Sequence, residues 1–232
     1  MNIINNEKLI NRNKKISQII LYAALGLLVV GIFWSISNPT SSQVTFSYII
    51  LIPAYILVQI SIYMTNRWGR SPRTDEILGQ SLKGLDDKYT LYNFSTGVPH
   101  MLVGPSGIQI LKPIHHYGKI RYDTDKEKYV QEGGPSFIGK LFAQESLPNI
   151  TRENKLLKTD LEKYFKKIDA SPFDEPEIIN VFYSEKADVN ARNAPNLTLH
   201  ADKLKDSIRK KTKQKNLDQK EIDKFRGMLP SD

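Results

Sequence analysis

Two long apolar runs near the start of the chain, residues 19–36 and 44–64, contain no charged residue. Each run is close to the roughly 20 residues that an α-helix needs to cross about 30 Å of hydrocarbon. Only a short polar and uncharged segment, residues 38–43, separates them. We therefore expect a transmembrane helical hairpin over residues 16–65, so that the lipid bilayer is the first partner of this chain.

Basic residues flank both ends of the expected hairpin. They are Lys8, Arg12, Lys14 and Lys15 before it and Arg67, Arg70 and Arg73 after it. Because Lys and Arg concentrate on the cytoplasmic side of membrane proteins, we expect an integral membrane protein with both termini cytoplasmic. A cleaved signal peptide is the alternative interpretation, but its apolar core usually runs for only about 7–15 residues. The expected domains are a basic N-terminus over residues 1–15, the hairpin, and a cytoplasmic domain over residues 66–232.

The apolar runs have the character of an anchor. Neither carries an ionisable residue, and such residues mark the ion and substrate pathways of channels and transporters. The remaining chain has the length of one domain. An excess of 33 Lys and Arg over 25 Asp and Glu permits nucleic acid or anionic lipid as a partner and requires neither. The absence of cysteine excludes disulfides and thiolate zinc sites.

Helix and strand patterns alternate through residues 66–232. The helical segments are 74–85, 151–168, a basic 201–215, and 218–228. The strand segments are 89–94, 98–103 and 107–114 as an antiparallel meander, then 118–122, 128–131, 178–183 and 197–199. Residues 133–148 are expected to form a loop with an apolar turn at 137–142. This order predicts an α/β domain with a central mixed sheet flanked by helices.

The centre of this domain carries a pattern of glycines and apolar residues. His100 opens a strand, Gly104, Pro105 and Gly107 form a turn, and Gly118 follows the next strand. The stretch VPHMLVGPSGIQILKPIHHYGKI resembles the centre of the nuclease-related domain (NERD) family, within the PD-(D/E)xK restriction-endonuclease-like superfamily. Downstream, NITRENKLLKTDL looks like the family's Asn-Pro-x-x-Gln helix, and IINVFYSEKADV and LTLHADKLKDSIRK look like its closing strands and helix. The resemblance covers residues 72–215 and implies a restriction-endonuclease-like domain.

The same resemblance shows where this chain departs from the family's metal chemistry. The family's metal-binding Asp falls on Pro99, its Glu on Lys112 and its catalytic Lys on Ile114. A nuclease of this type needs carboxylates to hold a divalent ion that activates a water molecule. Proline and lysine cannot ligate Mg²⁺, so we expect no catalytic residue, metal or cofactor at these positions. Lys112 and His100 become candidate binding residues.

An active enzyme would need a rearranged carboxylate site for Mg²⁺ or Mn²⁺. The candidates for it are Asp75, Glu76, Asp86, Asp87 and Glu153. The ordinary interpretation of Asp86 and Asp87 is a solvated turn after the first short helix. His115 and His116 are poor joint ligands, because adjacent strand residues point to opposite faces. The sequence contains no P-loop, nucleophile elbow or dinucleotide-binding fingerprint.

The helix expected over residues 201–215 is strongly basic. Between residues 203 and 215 it carries Lys203, Lys205, Arg209, Lys210, Lys211, Lys213 and Lys215 against a single acid, Asp206. Such a helix can neutralise phosphates of lipid headgroups or of nucleic acid, with Arg209, Lys210, Lys211 and Lys213 as the candidate contacts. A solvated surface helix is the alternative. No aromatic residue is interleaved with these cations, which disfavours single-stranded nucleic acid.

Three functions remain compatible with the sequence. The favoured one is a membrane-anchored, catalytically inactive nuclease-like module that serves binding or assembly at the cytoplasmic membrane face. The first alternative is a metal-dependent nuclease with a rearranged carboxylate site. The second is a structural subunit of a larger membrane complex, in which the hairpin makes the main contacts with protein partners.

Overall fold

The chain divides into two compact units, which we describe one at a time. The computed structural model describes residues 1–37, 41–134, 147–215 and 217–231, without the side chains of 41–47. A helical unit comprises Glu7–Arg73, and an α/β unit comprises Met1–Asn6 together with Thr74–Asp232. The compact units divide the chain after residue 6 and after residue 73, whereas the sequence predicts domain boundaries at 15/16 and 65/66.

The helical unit consists of the two apolar helices that the sequence predicts. Helix α1 spans Glu7–Ser37 and helix α2 spans Ser41–Met64, and one π-helical turn, Thr65–Gly69, follows. By length and apolar composition, two helical stretches are each able to cross a membrane. Helix α1 begins before the first apolar run, so the cations expected on a separate basic N-terminus lie on this helix.

Small residues line the contact between the two helices. Ala24 of α1 and Ala54 of α2 are fully buried. A Cβ atom added to Gly31 would lie 2.9 Å from the side chain of Leu51. Small residues allow helix backbones to approach closely, which is how helices associate where the hydrophobic effect gives no advantage. The pair therefore packs as an antiparallel hairpin, as expected for residues 16–65.

The α/β unit contains four helices and nine strands in the described part of the chain. The helices are α3 (Thr74–Ser81), α4 (Ile150–Lys167), α5 (Leu204–Gln214) and α6 (Gln219–Arg226), with a short 3-10 turn at Ala201–Lys203. The strands are β1 (Asn2–Asn5), β2 (Thr90–Asn93), β3 (His100–Gly104), β4 (Gly107–Ile114), β5 (Gly118–Asp123), β6 (Lys128–Glu132), β7 (Glu177–Phe182), β8 (Ala187–Asn190) and β9 (Leu197–His200). The apolar turn expected at 137–142 falls outside the described residues.

Six strands form a mixed central sheet in the order β1-β2-β3-β4-β7-β9. Strands β2, β3 and β4 make the expected antiparallel meander, whereas β1, β7 and β9 pair in parallel with their neighbours. The predicted α/β class with a central mixed sheet flanked by helices is confirmed. Strands β5 and β6 join β8 in a second, three-stranded sheet. Strand β8 was missed because it has only four residues, ADVN, of which two are polar.

Strand β1 is the main element that the sequence pattern did not reveal. It pairs in parallel with β2, from Asn2 opposite Thr90 to Asn5 opposite Asn93. The Asn93 amide nitrogen donates to Asn5 Oδ1 over 2.8 Å, which fixes this register. A four-residue strand gives too little periodicity to be recognised, and its partner lies more than 80 residues away in the sequence.

Alternate side chains of the central sheet pack on two separate helical layers. The cluster on the face toward α3 and α5 includes Leu78, Leu91, Leu102, Leu111, Val181 and Leu204. The cluster on the face toward α4 and α6 includes Met101, Ile110, Leu161, Phe165, Ile178 and Phe225. A third cluster joins the second sheet to the start of α4 through Ile114, Ile120, Tyr129, Ile150 and Phe182.

Candidate functional site

His100 lies on the face of the central sheet toward α3 and is only 2 % exposed. Its Nδ1 donates to Asn93 Oδ1 over 2.8 Å, and its Nε2 accepts from the hydroxyl of Thr74 at 3.3 Å. The ring also packs edge to face on Phe94, with centroids 4.9 Å apart. Both ring nitrogens have partners, which argues against the expected binding role and for a structural one.

Lys112 lies on the opposite face of the same sheet. Side chains alternate along a strand, so Lys112 shares the face of Ile110, toward α4, while Leu111 points toward α3. His100 shares the face of Leu102, which packs in the cluster with α3. The structure therefore does not bring the two expected binding residues, Lys112 and His100, into one site.

The Lys112 ammonium is bound inside the protein by the first turn of α4. Its Nζ lies 2.7 Å from Glu153 Oε2 and donates to Asn154 Oδ1 over 3.3 Å. It also approaches the Ile150 carbonyl oxygen at 3.4 Å. The residue is 9 % exposed, whereas the Glu153 side chain is 45 % exposed. Burial lowers the pKa of Lys112 from its ordinary value, and the Glu153 carboxylate opposes that shift.

The N-terminus of α4 is well defined by its capping residue. The side chain of Asn149 accepts a hydrogen bond from the backbone nitrogen of Arg152 over 3.0 Å, so the helix begins at Ile150. A helix N-terminus carries a partial positive charge and favours negative groups in its first turn. Glu153 is the acidic residue there. Lys112 and the helix terminus therefore favour the same negative group.

Two further polar groups of this helical turn are buried without a partner among the described residues. Asn154 is 2 % exposed, and its amide oxygen accepts from Lys112, but its amide nitrogen has no hydrogen-bond partner. The hydroxyl of Thr151 is also buried and unpaired. Thr151 and Asn154 are three residues apart and share one side of the helix. Most buried polar groups in proteins are hydrogen-bonded, so this unused donor capacity is unusual.

Asn180 of β7 adds an unused acceptor. It is opposite Lys112 in the parallel ladder and is fully buried. Its amide nitrogen donates to Tyr129 Oη over 3.1 Å and to Thr198 Oγ1 over 3.2 Å. The amide oxygen has no partner in the described part of the chain. An asparagine inside the apolar run IINVF was the sequence signal that our interpretation passed over.

The carboxylates proposed for a rearranged metal site do not lie together. Asp86 is exposed and accepts from the backbone of Lys88 over 3.1 Å, as expected for a turn. Asp87 is 93 % exposed, and the amino group of Met1, 2.6 Å away, lowers the pKa of Asp87. Asp75 and Glu76 lie on α3, whereas Glu153 lies across the sheet on α4. Within the described ranges, no three His, Asp or Glu residues are placed to hold a metal ion.

The two adjacent histidines have different surroundings. His115 is exposed, and its ring lies 5.0 Å from that of Tyr183. His116 is 7 % exposed, and neither of its ring nitrogens is hydrogen-bonded within the described residues. One imidazole is exposed and the other buried, which does not favour a shared metal ion.

Intramolecular contacts use about half of the cations on the basic helix. Lys211 pairs with Glu177, and Lys215 lies 2.6 Å from Asp174 and 3.0 Å from Glu177. Burial lowers the pKa of Lys211.

Two further cations of this helix bind backbone carbonyls after α3. Lys205 donates to the carbonyl of Lys83 over 3.3 Å, and Arg209 donates to that of Gly84 over 2.9 Å. Of the four expected binding residues, Arg209 and Lys211 therefore already have intramolecular partners. Lys210 and Lys213 are exposed, and no ion pair of theirs involves a described residue.

The arrangement around Lys112 holds an anionic group at a helix N-terminus and leaves two donors and one acceptor unused. No family model, no curated protein and no solved structure matches this chain at a significant level.

Proposed function

We propose that this chain is an integral membrane protein whose helices α1 and α2 anchor a nuclease-like α/β domain at the cytoplasmic membrane face. The domain serves binding or assembly and does not cleave nucleic acid. The anchor, the side of the membrane and the absence of catalysis rest on different observations.

Chain connectivity supports the anchor. Strand β1 precedes α1, and the rest of the central sheet follows α2, yet β1 and β2 are hydrogen-bonded neighbours. A pair of membrane-crossing helices returns the chain to the side from which it came, so this pairing is compatible with two spans and not with one. The basic residues at both ends of the helical pair favour the cytoplasm for that side.

The ion pair between Lys112 and Glu153 carries the non-catalytic part of the proposal. The order helix, three antiparallel strands, helix and parallel strand is compatible with the nuclease-like fold that the resemblance implies. In that fold Lys112 stands where the family has a metal-binding Glu. The buried ammonium of Lys112 repels a divalent cation, and the nearby carboxylate of Glu153 is already paired with that ammonium.

Membrane topology can be tested cleanly because the chain contains no cysteine. Single cysteines are introduced at Thr40, between the apolar runs, and at Lys213, on the exposed side of α5. A membrane-impermeant maleimide added to intact cells is expected to label Thr40→Cys, and to label Lys213→Cys only after permeabilisation. Labelling of Lys213→Cys in intact cells would overturn the proposed orientation.

Catalysis is tested on the full chain in detergent. Mg²⁺ and Mn²⁺ are titrated by calorimetry while cleavage of labelled single- and double-stranded DNA and RNA is followed. The proposal expects neither metal binding nor cleavage. Metal-dependent cleavage that disappears in Asp75→Asn or Glu153→Gln would instead establish the rearranged nuclease site.

A further inference from the structure

The unused hydrogen-bonding groups around Lys112 share one location. The ammonium contacts Glu153 and Asn154, and Asn180 is its neighbour in the adjacent strand. The amide nitrogen of Asn154 and the amide oxygen of Asn180 are both buried without partners among the described residues. Each residue is at least nine-tenths buried, so bulk water does not satisfy these atoms.

The amide orientations do not remove this deficit. Thr198 donates its hydroxyl proton to the carbonyl of Asn196 over 3.0 Å, which leaves its oxygen as an acceptor. Tyr129 Oη lies 2.8 Å from Thr198 Oγ1 and donates to it. In this network the amide nitrogen of Asn180 faces both hydroxyl oxygens, and its own oxygen faces away from them; the flipped amide would leave the nitrogen unpaired instead.

We propose that Lys112 and the first turn of α4 form a binding site for a small oxyanion of the phosphate type, and that the Glu153 carboxylate occupies this site when no ligand is bound. This inference rests on the proposed binding function of the domain and names the chemistry that it recognises. Glu153 is an internal substitute for the ligand.

The donor set matches a phosphate group better than a second carboxylate. Lys112 Nζ, the Asn154 amide nitrogen and the Thr151 hydroxyl are three donors beside a helix N-terminus, where phosphates commonly bind. A phosphate group offers at least three acceptor oxygens, and its monoprotonated form adds one O–H that Asn180 Oδ1 accepts. A carboxylate offers only two oxygens.

Exposure of the internal ligand provides the route for exchange. The Glu153 side chain is 45 % exposed, whereas Lys112 itself is almost completely buried. Rotation of the Glu153 side chain into solvent completes the hydration of that half-exposed carboxylate and leaves the Lys112 ammonium without its ion-pair partner. An incoming oxyanion then pairs with the ammonium in place of the Glu153 carboxylate, so the ligand and Glu153 compete for Lys112.

The test titrates inorganic phosphate into the full chain in detergent, with EDTA and constant ionic strength, by calorimetry and by the thermal unfolding midpoint. Glu153→Gln removes the internal competitor and is expected to bind phosphate at least about tenfold more tightly than the unmodified chain, as one charge-assisted hydrogen bond allows. Glu162→Gln, on the exposed side of the same helix, makes the same charge change and is expected to leave phosphate affinity unchanged.

Two further variants separate the site from general electrostatics. Lys112→Met in the Glu153→Gln background is expected to abolish phosphate binding. Thr151→Val keeps the side-chain shape, and so the fold, and is expected to weaken binding about threefold through loss of one neutral hydrogen bond. Equal phosphate affinity in Glu153→Gln, Glu162→Gln and the unmodified chain, or binding that survives Lys112→Met, would overturn the inference.

The source of the phosphate is resolved in nanodiscs. If phosphatidic acid in the disc prevents soluble phosphate from binding Glu153→Gln, a lipid headgroup is the source. If discs with and without phosphatidic acid give the same phosphate affinity, the ligand is soluble. Both results support the site. Because EDTA removes divalent metal ions, a metal ion cannot mediate phosphate binding in these titrations. A lack of phosphate binding would overturn the phosphate site alone, whereas the proposed function is overturned by metal-dependent cleavage in the separate experiment.

Discussion

His100 and Lys112 are buried on opposite faces of the central sheet, and their surroundings differ in how completely they are hydrogen-bonded. On the face toward α3, both nitrogens of His100 have partners, Asn93 and Thr74. On the face toward α4, Lys112 has partners, but Asn154 beside it and Asn180 across the ladder keep unused atoms. Complete pairing favours a role in folding, and incomplete pairing favours a ligand.

The largest expected effect is on the completely paired face. His100→Leu removes two hydrogen bonds and leaves the buried oxygen of Asn93 unpaired, so we expect a loss of about 3 kcal/mol in the free energy of unfolding. Urea unfolding of the full chain, followed by far-ultraviolet circular dichroism, measures this loss of stability. Lys112→Met is the comparison on the other face and is expected to cost clearly less. A stable His100→Leu protein would contradict the structural role of His100.

The next prediction asks whether the sheet extends to β1. Ile4 packs against the cluster toward α4, whereas the neighbouring Ile3 is 43 % exposed. Ile4→Asp places a charge in partly buried surroundings and is expected to cost about 2 kcal/mol of stability. Ile3→Asp, on the same strand, is expected to cost about 1 kcal/mol or less. Equal effects in thermal unfolding would place residues 2–5 outside the sheet, as the sequence alone suggested.

A smaller effect is expected on the pH dependence of stability, to which Lys112 contributes. Burial lowers the pKa of Lys112 in the folded chain below its unfolded value. Between these two values the unfolded chain binds more protons, so the free energy of unfolding rises with pH through that window. Lys112→Met removes this contribution.

Urea unfolding of the unmodified chain and of Lys112→Met from about pH 8 to about pH 10 measures this rise in the free energy of unfolding. Because burial also lowers the pKa of Lys211, only the difference between the unmodified chain and Lys112→Met is diagnostic. Lys163→Met, at a 73 % exposed position, is the control and is expected to keep the rise. Parallel profiles for the unmodified chain and Lys112→Met would show that Lys112 does not titrate in this range.

The smallest expected effects concern the basic helix. Lys211→Gln breaks the partly buried pair with Glu177 and is expected to cost about 1 kcal/mol of stability. Lys213→Gln, exposed on the same helix, is expected to change stability by less than about 0.5 kcal/mol and to weaken binding to anionic vesicles at low salt. Vesicle binding that depends on Lys211 and not on Lys213 would reverse this assignment.

Local patterns predicted most elements of the α/β unit but not their assembly. The meander from β2 to β4 and the helices α3 and α4 follow from apolar periodicity and turn residues near the expected positions. The pairing of β1 with β2 and the separate sheet of β5, β6 and β8 depend on contacts between distant segments. The entropy of closing the intervening chain and the register of strand pairing decide such contacts, and a local sequence pattern does not encode either of them.

The candidate site shows the same division. The sequence drew attention to both residues, but for different functions. Lys112 was predicted as a binding residue because it departs from the pattern of the family that the sequence resembles, and Glu153 was a candidate metal ligand. Their ion pair exists because β4 and the first turn of α4 face each other across a packed layer. Asn154 and Asn180 were missed, because an asparagine in an apolar run shows its hydrogen-bond deficit only once its neighbours are known.

The sequence by itself determined two apolar helices and an α/β domain, because these follow from residue type and short-range spacing. Only the tertiary structure decided that residues 2–5 complete the sheet and that His100 and Lys112 lie on opposite faces. It also decided which cations are already paired. Burial and pairing are properties of the neighbours that folding supplies, so a single sequence leaves them open.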